Sequence, residues 1–160
     1  MTDPNEEEFL NFYQAYWPRL VAALAVTVPQ GEDPADVAQE SFARAFEHWT
    51  DVRSHPRPDA WLFLTGYRLA GTVRRRLRTA VRLQRLRTPV TNEIVGDSLL
   101  GELIGALPSR QRAALLLRHY YGLSTKETAA YLRCPEGTVK SLVQRGLAAL
   151  RTAIVEEPVE

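Results

Sequence analysis

The sequence predicts an all-α protein of two small helical domains joined by a linker. Apolar residues recur at intervals of three and four along most of the chain. Capping residues and prolines punctuate that rhythm, and no stretch alternates in the manner of a strand. At 160 residues, 45% of them hydrophobic, the chain can bury one ordinary core or two small ones.

The first helix is carried by Phe9, Phe12, Tyr13, Tyr16, Trp17, Leu20 and Leu24, one apolar stripe spanning Glu6 to Val26. Pro18 interrupts it, and a kink or a split is expected there. Pro29, Gln30 and Gly31 form a break. Asp33 then reads as an N-cap with Pro34 in the first helical position, where its missing N–H costs nothing. Val37, Phe42, Ala45, Phe46 and Trp49 give the second helix its inner face, with Asp36, Gln39, Glu40 and Arg44 pointing away. Thr50–Pro58 holds two prolines and reads as a loop. Asp59 reads as the cap of a long helix whose apolar row is Leu62, Gly66, Leu69, Val73 and Leu77. Gly66 in that row predicts close approach of a neighbouring helix.

Residues 88–96 contain a proline and no helical stripe, so they read as the linker between a domain at 6–87 and one at 97–155. Asp97 reads as the cap of a helix with Leu99, Leu100, Leu103, Ile104 and Leu107 inward, ended by Pro108. Ser109 reads as the next cap, before a helix burying Ala113, Leu116, Leu117 and Tyr120. Gly122 closes that helix in a left-handed conformation.

Composition excludes several classes. No apolar run approaches the roughly 20 residues of a membrane span. The N-terminal MTDPNEEEF is acidic where a signal peptide is basic and then apolar. One cysteine, Cys134, precludes an internal disulfide and fits a reducing cytoplasm. The three histidines and that cysteine have no metal-ligand spacing, so neither metal nor cofactor is expected. No Gly-rich phosphate loop or nucleophile–base set appears, so no enzyme is expected.

The net charge is only +1, but its distribution is uneven. Residues 1–59 hold eleven Asp or Glu against four Arg, and 93–160 hold eight of each sign. Between them, Ala60 to Asn92 carries eight arginines and no acid: Arg68, Arg74, Arg75, Arg76, Arg78, Arg82, Arg85 and Arg87. Self-repulsion along such a helix is unfavourable unless an anion relieves it, which favours phosphate binding over a merely solvated face.

The sharpest local signal lies at 122–147. Ser124 and Glu127 form a capping box that opens a short helix ending near Leu132. A turn at Arg133-Cys134 leads to Pro135-Glu136-Gly137-Thr138 and a last helix, with small Ala129 at the crossing. This is the pattern of a helix-turn-helix, whose second helix enters the major groove. Val139, Leu142 or Val143, Leu147 and Leu150 face inward on it. Thr138, Lys140, Ser141, Gln144 and Arg145 fall on the outer side and are of the types that reach base edges and phosphates.

Leu107-Pro108-Ser109-Arg110-Gln111-Arg112 and Pro135-Glu136-Gly137-Thr138-Val139-Lys140-Ser141 resemble region 4 of extracytoplasmic-function (group IV) sigma factors. Asp33 to Phe42 (DPADVAQESF) resembles their region 2.2. Ala60-Trp61-Leu62-Phe63, ending in Arg74-Arg75-Arg76, resembles region 2.4. The resemblance spans residues 6–153 and implies a region 2 bundle and a region 4 helix-turn-helix. By position it assigns Asp36, Gln39, Glu40 and Arg44 to the clamp helices of core RNA polymerase. Trp61, Arg68, Arg74, Arg75 and Arg76 fall to the promoter −10 region, Trp61 chiefly as a packed residue. The loop after region 2.2, here Thr50–Pro58, captures a base flipped from the −10 element in that family. The outer face of the last helix is assigned to the −35 element, and its domain also to the polymerase flap. The resemblance further implies an anti-sigma partner.

Departures from the family pattern are Arg68 for a frequent Asn, Thr72 for Asp, Arg133 for Gly, Leu142 for Arg and Gly146 for Ala. They bear on promoter sequence rather than on class. Two other readings stay open at this point: a stand-alone homodimeric helix-turn-helix regulator, which needs a seam the sequence does not offer, and a non-DNA helical adaptor, which leaves the acid-free arginine stretch unexplained.

Overall fold

The computed structural model describes residues 3–81 and 98–156, with the backbone alone at positions 73, 74 and 76–81. The chain divides into two compact units, Met1–Val95 and Gly96–Glu160. Every described regular element is helical. The expected linker at 88–96 lies outside the described residues.

In the first unit α1 (Pro4–Ala25), α2 (Pro34–Glu47), the short α3 (Trp49–Arg53) and α4 (Pro58–Val81) pack together. Asp3 caps α1 and Asp33 caps α2, each carboxylate accepting the N–H two residues on, at 3.0 and 2.9 Å. Both helices open on a proline, Pro4 and Pro34. α1 neither splits nor ends at Pro18. That residue is exposed, as is Gln14, so the carbonyl left without a donor faces water rather than the core.

The core of this unit is aromatic where α1 meets α2 and α3. Phe9 stands edge-on to Trp49 at 5.1 Å between centroids, and Phe12 to Phe42 at 5.7 Å. Below that layer Leu20, Leu24, Ala38, Ala45, Leu62 and Phe63 are almost fully buried. Gly66 on α4 is the point of closest approach. A Cβ there would lie 2.8 Å from Leu24 Cδ2 and 3.1 Å from Ser41 Oγ, so α1, α2 and α4 all meet at a residue without a side chain.

Three expectations need correction here. Phe46 is 52% exposed, because it lies beyond the edge of the inner arc formed by Val37, Ala38, Ser41, Phe42 and Ala45. The stretch read as a loop begins with a helical turn, since Trp49 and Val52 are buried and Arg53 reaches back to Asn5 and Glu8, both at 2.8 Å. Asp59 is not a cap: α4 starts at Pro58, and the Asp59 carboxylate takes the Arg57 guanidinium instead.

The second unit holds α5 (Leu99–Gly105), α6 (Ser109–Leu115), which runs on as one π-helical turn at Leu116–Tyr120, α7 (Thr125–Leu132) and α8 (Glu136–Glu156). Ala113, Ala114, Leu117, Leu123 and Val139 form its centre. Asp97 lies outside the described residues; Ser98 caps α5, its Oγ accepting from Gly101 N at 3.0 Å. Leu99 and Leu100, expected inward, are exposed in the first turn of this short helix, while Leu107 is buried. Ser109 is the first residue of α6 rather than its cap, which is Pro108.

The π turn corrects the remaining assignment. Tyr121 N donates to Leu116 O, five residues back, at 2.9 Å. The extra residue in that turn shifts the helical phase by one, so Tyr121 is buried and Tyr120 half-buried, the reverse of the straight-helix expectation. Gly122 follows with φ +69°.

Candidate nucleic-acid interface

The helix-turn-helix is assembled by local chemistry. Ser124 Oγ accepts from Glu127 N, and Glu127 Oε1 accepts from Ser124 N, both at 3.0 Å, so each of these two orphan donors is satisfied by the other residue's side chain. α7 ends at Arg133 in the left-handed conformation, φ 54°. α8 begins after Pro135, with the N–H groups of Thr138 and Val139 returned to Pro135 O.

α8 has two unlike sides. Val139 and Gly146 are buried, and Leu142, Val143, Leu147 and Leu150 are half-buried. A Cβ at Gly146 would lie 2.7 Å from Leu115 Cδ1, which accounts for glycine where the family pattern has alanine. Thr138, Lys140, Ser141, Gln144 and Arg145 are all exposed. At about 100° per residue these five share one arc of roughly 160°, opposite the packed side.

Other basic residues of this unit serve the fold. Arg110 Nη2 donates to Leu132 O at 3.2 Å, and the buried Arg112 donates to Gly105 O at 2.7 Å. Arg118 donates to Leu123 O. The Leu132 and Gly105 carbonyls close α7 and α5, where cations are favoured, and the Leu123 carbonyl lies in the turn before α7.

On α4 the buried row Leu62, Phe63, Gly66 and Ala70 leaves a polar stripe on the far side. Trp61, Arg68 and Arg75 are spaced by seven and share that side, with Thr65 and Thr72 between them. The two arginines are exposed, while Trp61 and both threonines are half-buried. Thr65 and Thr72 donate back to the carbonyls of Trp61 and Arg68, at 2.9 and 3.3 Å. The side chains of Arg74 and Arg76 lie outside the described residues. The threonines were not singled out by charge; the signal for them is the alternation of three and four with Trp61 and the arginines.

Asp36, Gln39, Glu40 and Arg44 are all exposed on one side of α2. Arg44 Nε lies 3.2 Å from Glu40 Oε1, with both side chains about half exposed, so the pair is a solvated one of small energy. Phe46 flanks this polar side as an exposed ring, edge-on to Phe9 at 4.9 Å. Helical periodicity placed it inside, which is why the sequence did not mark it. No helix among the described residues is long and apolar enough to cross a membrane.

Known proteins fit this arrangement. The family model for sigma-70 region 2 matches residues 12–84, and that for sigma-70 region 4 matches 98–150. The RNA polymerase sigma-E factor of Streptomyces coelicolor is 30% identical over 153 residues, covering 92% of this chain and 86% of that protein. The ECF RNA polymerase sigma factor SigL of Mycobacterium tuberculosis is 31% identical over 131 residues, covering 76% and 74%. In fold, the chain is similar to the sigma factor RpoE of Bartonella quintana, solved in complex with the anti-sigma factor NepR. That match has a TM-score of 0.77 at 21% identity and covers 95% of this chain and 99% of the other. CnrH, solved with the cytosolic domain of CnrY, gives 0.65 at 24% identity, covering 97% and 92%. With both regions matched in order and a relative aligned along nearly its whole length, the chain belongs to the sigma-70 family of transcription initiation factors, among its extracytoplasmic-function members.

Proposed function

We propose that this promoter-recognition factor divides its work among three faces. The outer arc of α8, Thr138, Lys140, Ser141, Gln144 and Arg145, reads the −35 element in the major groove. The α4 stripe, Trp61, Arg68 and Arg75 with Arg74 and Arg76, holds the −10 region. The exposed side of α2, Asp36, Gln39, Glu40 and Arg44 with Phe46 at its edge, docks on the clamp helices of core polymerase. The helix-turn-helix unit also meets the flap. The chain performs no chemistry of its own, works in the cytoplasm, and is held in check by an anti-sigma factor. The sigma factor RpoE, of similar fold, was solved with the anti-sigma factor NepR, which supports that last point.

The observation that carries the reading is α8: five polar or basic side chains in one exposed arc, opposite a packed side, on the second helix of a helix-turn-helix. The test is to separate the faces. Arg145→Ala should weaken promoter binding by about 1–3 kcal/mol and relax discrimination at one −35 base pair, leaving polymerase affinity intact. Glu40→Lys should do the reverse, lowering affinity for core polymerase. If both variants fail in the same assay, or neither fails in either, the division of faces is wrong.

A further inference from the structure

The four residues 54–57 that join α3 to α4 sit at the head of the α4 stripe, one turn before Trp61, whose N–H donates to Arg57 O at 3.1 Å. This loop is tied at every position but Pro56. Ser54 Oγ donates to the carbonyls of Thr50 and Asp51, at 3.0 and 3.2 Å. His55 N donates to Val52 O at 3.1 Å, and His55 Nδ1 accepts from Arg57 N at 3.1 Å. Arg57 then forks onto Asp59, Nε to Oδ1 at 3.1 Å and Nη2 to Oδ2 at 3.0 Å, and Asp59 Oδ1 also accepts from Ala60 N at 2.9 Å.

The fork differs from an ordinary surface pair. The Asp59 side chain is only 10% exposed and that of Arg57 27%, so the carboxylate needs its partner in place. Pro56 and Pro58 restrict His55 and Arg57 to extended backbone, which removes most other loop shapes. By residue type Arg57 belongs with the phosphate-holding arginines. By geometry it is already engaged.

We infer that His55, Arg57 and Asp59 are positioning residues, which fix the 54–57 loop in its DNA-receiving shape before DNA arrives. This rests on the reading that the loop meets a flipped base of the −10 element. Flipping costs stacking energy, and a preformed receptor adds no ordering cost of its own.

The experiment uses holoenzyme on two templates, a duplex promoter and the same promoter with its −10 segment pre-opened. Arg57→Gln with Asp59→Asn replaces the charged fork by a neutral pair. His55→Phe removes the Nδ1 acceptor, and His55→Asn keeps an acceptor at that place. The double variant and His55→Phe should slow open-complex formation on duplex by roughly tenfold, the equivalent of ordering about one residue anew. Holoenzyme affinity, the salt slope of promoter binding and transcription from the pre-opened template should stay as in the parent. His55→Asn should restore most of the duplex rate. Undiminished duplex activity overturns the inference. Equal loss on both templates with weakened holoenzyme means a general folding role and also overturns it, and a lowered salt slope means direct phosphate contact, with the same consequence. Substitutions at the exposed Ser54 and Pro56 separate this inference from the reading beneath it. If they leave duplex transcription intact, the loop does not meet DNA. If they reduce it while the positioning variants do not, only the positioning role fails.

Discussion

Arg133 occupies a conformation that suits glycine. Its φ of 54° brings Cβ toward its own carbonyl, at a cost of about 1–2 kcal/mol for a residue with a side chain. Replacing it with glycine relieves that cost but enlarges the entropy of the unfolded chain, so Arg133→Gly should stabilise the second unit by about 0.5–1 kcal/mol. Urea denaturation followed in that unit checks the sign. The left-handed turn was legible because a helix must stop before Pro135, and the family pattern places glycine at that point. The roles of the other arginines were not legible. Arg112, Arg118 and Arg145 look alike in sequence, yet two reach backbone carbonyls of their own unit and one is exposed on the outer arc of α8. Which carbonyl lies within reach is a property of the packed fold.

At the scale of elements, periodicity and capping located the long helices because each buries a stripe broad enough to register in sequence. Gly66 was legible as a close approach, and the structure supplies the neighbours. Gly66→Val should destabilise the first unit by about 1–3 kcal/mol, since the added side chain meets the fully buried Leu24 and Ser41 rather than a yielding surface. Thermal unfolding of the pure protein measures this, and an unchanged midpoint would show that α1 and α2 can retreat. Two elements escaped the sequence reading for one physical reason. α3 is held by Trp49 and Val52 in the core and by Arg53 on Asn5 and Glu8. The π turn puts Tyr121 rather than Tyr120 in the core. Neither is marked by local periodicity, and α3 depends on partners distant in sequence. The helix starts at Pro58 and Ser109 precede the expected ones by two residues and by one, and at Pro58 the Arg57–Asp59 fork takes the carboxylate that was read as a cap.

For the whole molecule, charge segregation was the most informative property of the sequence, and the net value of +1 concealed it. The three faces differ in character: an acidic and polar side on α2, an arginine-bearing stripe on α4, and a mixed polar arc on α8. Each arginine that neutralises a phosphate adds about −0.9 to the slope of log affinity against log salt, so charge-neutral variants at Arg68 and Arg75 should flatten that slope by one to two in all. The −35 variants that lose a base contact should change sequence preference more than slope. Run-off transcription with purified core polymerase, on a template carrying the chain's own −35 and −10 elements, tests the account most directly. A single start site is expected that appears only when chain and core enzyme are both present, and that is lost when either element is scrambled. A chain that binds the same duplex as a homodimer without polymerase, or that leaves initiation by the core enzyme unchanged, would contradict it.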